Sequence, residues 1–166
     1  MKKPRMTARI KGKEAKAGAP YRYIGSGLDN VYLANGFTLR DTPYGKAVAI
    51  DNMDGLHKAI AMFLVNSKPE LTGKELRFLR IEMDMPQKEI GDLMGVSDQT
   101  IALWEKGRVK IPGYGNILIR VIYKEFVGVI ADMIRTVKHL NALGKMKESK
   151  IVFKETQHGW CQKKAA

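Results

Sequence analysis

The fold of this chain is decided by a short stretch near its middle. Residues 86–107 read PQKEIGDLMGVSDQTIALWEKG. Pro86 suits the first turn of a helix, Gly95 is the usual left-handed residue after a helix, and Ser97 can cap the next one. The stretch therefore predicts a helix from Pro86 to Met94, a turn over residues 95–97 and a helix over 98–106, which together form a helix-turn-helix.

The apolar residues of this stretch predict how the two helices pack. Ile90, Met94, Val96, Ile101 and Trp104 supply the inner faces of both helices and the turn. Gly91 lies where the two axes must approach closely, although a glycine that is merely tolerated in a helix, at a cost of about 1 kcal/mol, is the alternative.

The outer face of helix 98–106 is then available to a ligand. It carries Asp98, Gln99, Ala102 and Leu103. Gln99 can pair with an adenine edge, and Leu103 can pack on a thymine methyl group. Asp98 either accepts a hydrogen bond from cytosine or only caps its own helix. Such a face at the start of a helix is the part that enters the major groove.

Residues 71–112 resemble the XRE/Cro–repressor helix-turn-helix family, through the spacing of Gln87, Gly91, Gly95, Val96 and the segment 104–107. The resemblance implies that Gln87 holds a DNA phosphate and that the turn after helix 98–106 follows the DNA backbone. The alternative for the basic residues of that turn is a solvated face. The resemblance also implies a structural ion pair between Arg80 and Glu105.

These arguments give two sets of expected site residues. The expected DNA-binding residues are Gln87, Lys88, Ser97, Asp98, Gln99, Thr100, Leu103, Lys106, Arg108 and Lys110. The expected structural residues are Arg80, Glu105, Gly91, Gly95, Ile101 and Trp104. Leu93 departs from the family, which has a polar residue there, so we expect another part of the chain or a partner to cover it.

The charge of the chain points to a polyanion. The 166 residues carry a net charge of +12, with 29 Lys and Arg against 17 Asp and Glu. Residues 1–20 contribute +6 and residues 145–166 contribute +4, so most of the excess lies near the two ends. We interpret 1–20 as a flexible basic arm that adds non-specific DNA affinity, or else as a solubilising tail.

Strand and turn signals dominate residues 21–66, which we predict to be a small α+β lobe. Asn35-Gly36 between strands 31–33 and 37–39 indicates a hairpin. A second turn at 42–45, a strand at 47–50 and a helix of about 12 residues beginning near 51–54 should follow. The apolar face of that helix is Leu56, Ile60, Phe63 and Leu64, and the helix should end at 67–69 before Pro69.

Residues 67–144 are predicted to form the helix-turn-helix domain with extra helices. Thr72 and Glu75 form a capping box for its first helix, whose inner positions are Leu76, Leu79 and Met83. A helix over 116–127, with Leu118, Val121, Ile122 and Phe126 on one face, should complete the core. A helix over 128–143 either adds to that core or, as we favour, forms a dimer interface. Within residues 145–166 we predict a strand at 151–153, followed by Gly159-Trp160, and we expect this strand to join the sheet of the lobe. The rest of the segment should be a basic tail.

The predicted fold class is thus α+β, with a C-terminal all-α domain of the XRE helix-turn-helix type and a small N-terminal lobe of strands and a helix. The apolar runs are too short to span a membrane, and no secretory signal is visible, so we expect a cytoplasmic protein. One cysteine and three histidines exclude a disulfide framework and a Cys-rich zinc site. We expect no metal and no cofactor.

No enzyme is expected either. His57 near a helix start is expected to be a capping or surface residue, the glycine-rich stretch 25–27 lacks the lysine of a phosphate loop, and Cys161 has no catalytic partner at any motif spacing.

The sequence therefore predicts a sequence-specific XRE-type repressor that binds an operator in double-stranded DNA as a homodimer and reads the major groove with helix 98–106. The alternative is an antitoxin of a type II pair that binds a toxin and represses its own operon, because the lobe followed by the helix-turn-helix resembles MqsA-type antitoxins. The paired cysteines of that family are absent here, so its zinc is not carried over. A third possibility is general coating of DNA or RNA by the basic ends.

Overall fold

The computed structural model describes residues 20–129, residue 143 and residues 151–163. The described strands are β1 (Tyr21–Arg22), β2 (Val31–Leu33), β3 (Phe37–Thr42), β4 (Gly45–Ile50), β5 (Ile151–Thr156) and β6 (Gly159–Lys163). The described helices are α1 (Met53–Ser67), α2 (Gly73–Glu82), α3 (Gln87–Met94), α4 (Asp98–Glu105) and α5 (Gly113–Phe126). None of these helices is both long enough and apolar enough to cross a bilayer.

A four-stranded sheet in the order β1-β2-β5-β6 joins distant parts of the chain. β5 runs parallel to β2, pairing Val31 with Ile151 and Leu33 with Phe153, and all four side chains are buried. The predicted addition of 151–153 to the sheet of the lobe is confirmed. The segment is longer than predicted, because β6 folds back on β5 as a second strand.

The predicted hairpin at Asn35-Gly36 is wrong. β2 pairs with β1 and β5, whereas β3 pairs with β4 in a separate two-stranded sheet. The Asn35 side chain donates from Nδ2 to the Glu155 carbonyl at 3.1 Å and accepts from the Glu155 amide at 2.7 Å. Asn35-Gly36 therefore marks the point where the chain leaves one sheet for the other.

The turn at 42–45 and the strand at 47–50 are confirmed as the connection between β3 and β4 and as part of β4. The Thr42 hydroxyl donates to the Gly45 carbonyl at 2.6 Å and accepts from the Tyr44 amide at 3.3 Å. These two hydrogen bonds satisfy backbone groups that the tight turn leaves unpaired.

Helix α1 connects the four-stranded sheet to the other helices. Its first turn is capped by Asn52, whose Oδ1 accepts from the Gly55 amide. The helix spans 15 residues rather than about 12, and of the predicted inner face only Phe63 is not fully buried. α1 packs against β6, α2 and α5, so the lobe and the helices share one continuous core.

Arg120 of α5 is buried inside this junction, at 1% exposure. Its guanidinium donates to the carbonyl oxygens of Val65 and Pro69, both at 3.3 Å, and to Asn116 Oδ1. Burial lowers the pKa of Arg120 to about 10, so the group is still cationic at neutral pH. One side chain thus satisfies the carbonyls at the end of α1 and in the connection to α2.

Two features of the predicted helical region need correction. The helix-turn-helix lies in the middle of the chain rather than at its C-terminal end, because β5 and β6 follow it. Helix α5 begins three residues earlier than predicted. It buries Gly115, Ile119 and Tyr123, whereas Leu118 and Ile122 of the predicted face are only partly buried against the core. The reason is that Gly115 packs on the Trp104 ring, which turns Phe126 outward to 52% exposure.

Two further predictions concern segments that lie mostly outside the described residues. Of the helix predicted over 128–143, the structure describes only Gly128 and Val129, just after α5, and Leu143. The arm 1–20 lies outside the described residues except for Pro20.

The first residue of α2 should tolerate no side chain. A Cβ on Gly73 would lie 2.7 Å from the Glu105 carbonyl oxygen and still closer to that of Trp104, both of them backbone atoms. We predict that Gly73→Ala lowers the free energy of unfolding by about 1–3 kcal/mol in urea titrations, because α2 must move away from α4.

Gly113→Ala is the matched control, since Gly113 is also the first residue of a helix and a Cβ there meets nothing within 4 Å. It should change stability by less than about 1 kcal/mol. Equal losses in both variants would contradict the close contact between α2 and α4.

Candidate nucleic-acid interface

Helices α3 and α4 meet at a corner that leaves no room for larger side chains. A Cβ on Gly91 would lie 2.7 Å from the Val96 carbonyl oxygen. Gly95 ends α3 with a φ of 71°, a conformation that favours glycine. The Ser97 hydroxyl then accepts from the Thr100 amide at 3.1 Å and caps α4. These contacts set the angle at which α4 leaves the turn.

Helix α4 has one buried face and one exposed face. Ile101 and Trp104 are buried in the core, whereas Asp98 and Gln99 are exposed and Leu103 is 40% exposed. The outward residues lie where the sequence predicts them. They form a short polar and apolar strip along the first two turns of the helix.

Two residues at the start of α4 bond locally. Asp98 Oδ1 accepts from the Gln99 amide at 2.9 Å, which supports the capping alternative for Asp98. The hydroxyl groups of Ser97 and Thr100 are hydrogen-bonded to each other at 2.9 Å. Of the outward polar residues, Gln99 therefore has the side chain most open to a ligand.

Glu105 connects α4 to α2 and to α3. Its carboxylate accepts from Arg80 of α2 through Nε at 2.6 Å and through Nη2 at 3.1 Å, and its side chain is only 4% exposed. Arg80 also donates to the Met85 carbonyl at 2.8 Å. Such a two-point contact fixes orientation as well as distance.

Gln87 belongs to the same network, which sequence reasoning missed. Its Nε2 donates to Glu105 Oε2 at 2.8 Å. Because a primary amide has two N–H donors, the second is still available for a phosphate oxygen. No sequence pattern predicts this bond, because it joins residues 18 positions apart on different helices.

The basic residues around α4 are all on the surface. Lys106 and Arg108 are exposed, Lys110 pairs with Glu70 at 3.0 Å, and Lys88 pairs with Asp92 at 2.8 Å. The hydrogen bond to Asp92 raises the pKa of Lys88. Exposed ion pairs of this kind contribute little to stability, so a phosphate can replace the carboxylate.

Comparison with known families supports this geometry. Residues 76–118, from α2 into α5, match the family model described as Helix-turn-helix. The chain contains a helix-turn-helix domain of the XRE type. No curated protein sequence and no solved structure matches the chain significantly. The likeness of the whole layout to MqsA-type antitoxins therefore stays a prediction.

The predictions for Leu93 and His57 have different outcomes. Leu93 on α3 is 55% exposed, so the described part of the chain does not cover it, and a partner stays a prediction. His57 is not a capping or surface residue. Its ring lies half-buried between the lobe and α2, where it bonds to Tyr23 and Glu82.

The buried carboxylate of Glu105 should be more important for stability than an exposed one in the same domain. We predict that Glu105→Gln lowers the free energy of unfolding by about 3 kcal/mol, because it leaves the Arg80 charge without its counter-charge. Urea unfolding followed by circular dichroism measures the change.

Asp92→Asn is the matched control, since it removes the carboxylate of the exposed Lys88–Asp92 pair in the same domain. Its cost should stay below about 1 kcal/mol. A loss in Glu105→Gln no larger than that in Asp92→Asn would show that the Arg80–Glu105 pair does not hold the domain together.

Proposed function

We propose that this protein is a sequence-specific DNA-binding regulator of the XRE type that represses transcription and reads the major groove with α4. The observation that carries the proposal is the exposed face of Gln99 and Leu103, held out from the core by Ile101 and Trp104. A rigid helix with open polar and apolar groups at its start suits base readout.

In this proposal one group of residues contacts base edges and a second group contacts phosphates. Gln99 and Leu103 contact base edges, with Ser97, Asp98 and Thr100 at the start of α4 beside them. Gln87, Lys88, Lys106, Arg108 and Lys110 contact phosphates, which position the domain without reading sequence. No catalytic step, metal or cofactor is part of this proposal, and the protein acts in the cytoplasm, where bacterial-type operators lie.

Repression by this domain is proposed to need two copies of the chain. A two-fold homodimer places two copies of α4 about one DNA turn, ~34 Å, apart, and so reads two half-sites. Each half-site alone offers few base contacts, which is why pairing raises selectivity.

Toxin binding is kept as a second proposal because of the β3–β4 hairpin. This two-stranded sheet is not paired to the larger one, and Leu39, Val48 and the fully exposed Tyr44 lie on its surface. Isolated hairpins are marginal in water, so a protein partner covering this face would stabilise it. Co-purification with the product of a neighbouring toxin-like gene tests this proposal, and co-expression without complex formation contradicts it.

Competition binding tests the DNA proposal directly. The full chain is titrated with the DNA upstream of its own gene and with random DNA of equal length. We predict that Gln99→Ala loses the preference for the upstream fragment, whereas Lys106→Ala weakens binding to both and lowers the salt slope by about one.

Lys58→Ala is the control, because Lys58 is exposed on α1, outside the helix-turn-helix, and its loss removes the same charge. It should leave both preference and salt slope unchanged. No preference of the wild type for the upstream fragment, or equal losses for Gln99→Ala on both DNAs, would contradict the assignment of α4.

A further inference from the structure

A cleft of about 580 Å³ lies between the turn after β1, the exposed side of α2 and the end of α4. Its volume is within the range of small-molecule sites. The turn contributes Gly25, Ser26 and Gly27, while α2 contributes Arg77 and Phe78. Lys106, which follows α4, closes the far end. The cleft therefore touches both the lobe and the helix that is proposed to read DNA.

His57 forms a rigid floor for this cleft. Its Nε2 is 2.7 Å from the Tyr23 hydroxyl and its Nδ1 is 2.8 Å from Glu82 Oε1. Burial, with a smaller effect of Glu82, raises the pKa of Tyr23, so the hydroxyl keeps its proton and can donate to Nε2. The ring also contacts Phe78 edge-on, with 5.5 Å between centroids. Every group of the floor is thus held by a neighbour.

The wall formed by the glycine-rich turn is equally well packed. A Cβ on Gly25 would lie 2.7 Å from the Tyr23 ring, and Gly27 has a φ of 72°. The Gly27 amide donates to the Ile24 carbonyl at 3.0 Å, and Ser26 is buried. Gly25 therefore lets the backbone lie close to the ring, Gly27 allows the left-handed conformation of the turn, and the opening beside them is part of the fold.

The charges that line the cleft favour an anion. Its two carboxylates are already used, Glu82 by His57 and Glu105 by Arg80 and Gln87. Of its three cations, Lys74 bonds to Asp29 at 2.6 Å. Arg77 and Lys106 have no ionic or hydrogen-bond partner for their side chains within the described chain. The side chain of Ile81, 52% exposed, adds an apolar surface at the same opening.

We propose that the cleft binds a small organic anion, a carboxylate or phosphate attached to an apolar group, which regulates DNA binding. The anionic group lies between Arg77 and Lys106, and the apolar group lies against Phe78 and Ile81. This regulation rests on the proposed function, because Lys106 is also assigned to a DNA phosphate. A bound anion neutralises that lysine and so weakens DNA binding by a direct charge effect.

Phenyl phosphate is the first probe, with the full chain and no DNA present. We expect saturable binding in calorimetry or NMR titration, with inorganic phosphate and phenol each at least about tenfold weaker, because each lacks one of the two contacts. Arg77→Ala should weaken phenyl phosphate by about tenfold, whereas Arg40→Ala, which removes an exposed arginine from the distant hairpin, should not.

The second arm repeats the titration of the upstream DNA with phenyl phosphate at saturation. Wild type should lose about tenfold in DNA affinity, and Arg77→Ala should lose none. No saturable binding of phenyl phosphate, or equal binding of inorganic phosphate, would overturn the proposal. So would a loss of DNA affinity in Arg77→Ala without probe, because Arg77 would then be a DNA contact.

The two proposals can fail separately. Saturable binding of phenyl phosphate with no preference for upstream DNA would refute the DNA-reading proposal and support the cleft as a site for anions. Specific DNA binding that phenyl phosphate does not change would overturn the regulation.

Discussion

The buried carboxylate of Glu105 is the interaction on which the exposed face of α4, proposed to read DNA, depends. It accepts from Arg80 on α2 and from Gln87 at the start of α3, while its own backbone belongs to α4. Three helices therefore meet at one side chain. Because a buried charge is costly unless it is fully paired, any shift of one helix is opposed by the loss of these hydrogen bonds. The outward direction of Gln99 follows from this constraint together with the burial of Ile101 and Trp104.

The lobe is held firmly to the helix-turn-helix domain, because α1 and α5 connect the two. Arg120 ties the end of α1 to α5 through carbonyl oxygens that would otherwise be unpaired. Lys68, the residue after α1, forms a buried ion pair with Glu75, which also completes the capping box of α2. A ligand that moved the lobe would therefore act on the first helix of the DNA-binding domain, and the cleft at His57 lies at this junction.

Sequence reasoning located the features whose causes are local. Thr72, Ser97 and Gly95 cap or end helices through contacts within a few residues, and all three do so in the structure. The predictions were wrong or incomplete where a contact between residues far apart in the sequence sets the local structure. Asn35 turns away from a hairpin because Glu155, 120 positions later, accepts and donates to its side chain. The inner face of α5 is set by Trp104 against Gly115, and the bond from Gln87 to Glu105 needs the folded geometry. The structure places the outward residues of α4 as the sequence predicts, because Ile101 and Trp104 lie three positions apart on one face of the same helix, which is also a local relation.

Whether α4 reads DNA sequence can be measured without knowing the operator. Selection of bound sites from a random pool of double-stranded DNA, with the full chain, tests it most directly. We predict one recurring motif, enriched as two inverted copies whose centres lie about one helical turn, ~34 Å, apart. Retention of DNA with no shared motif after repeated rounds would contradict it, because the charge of the chain would then explain all of the binding.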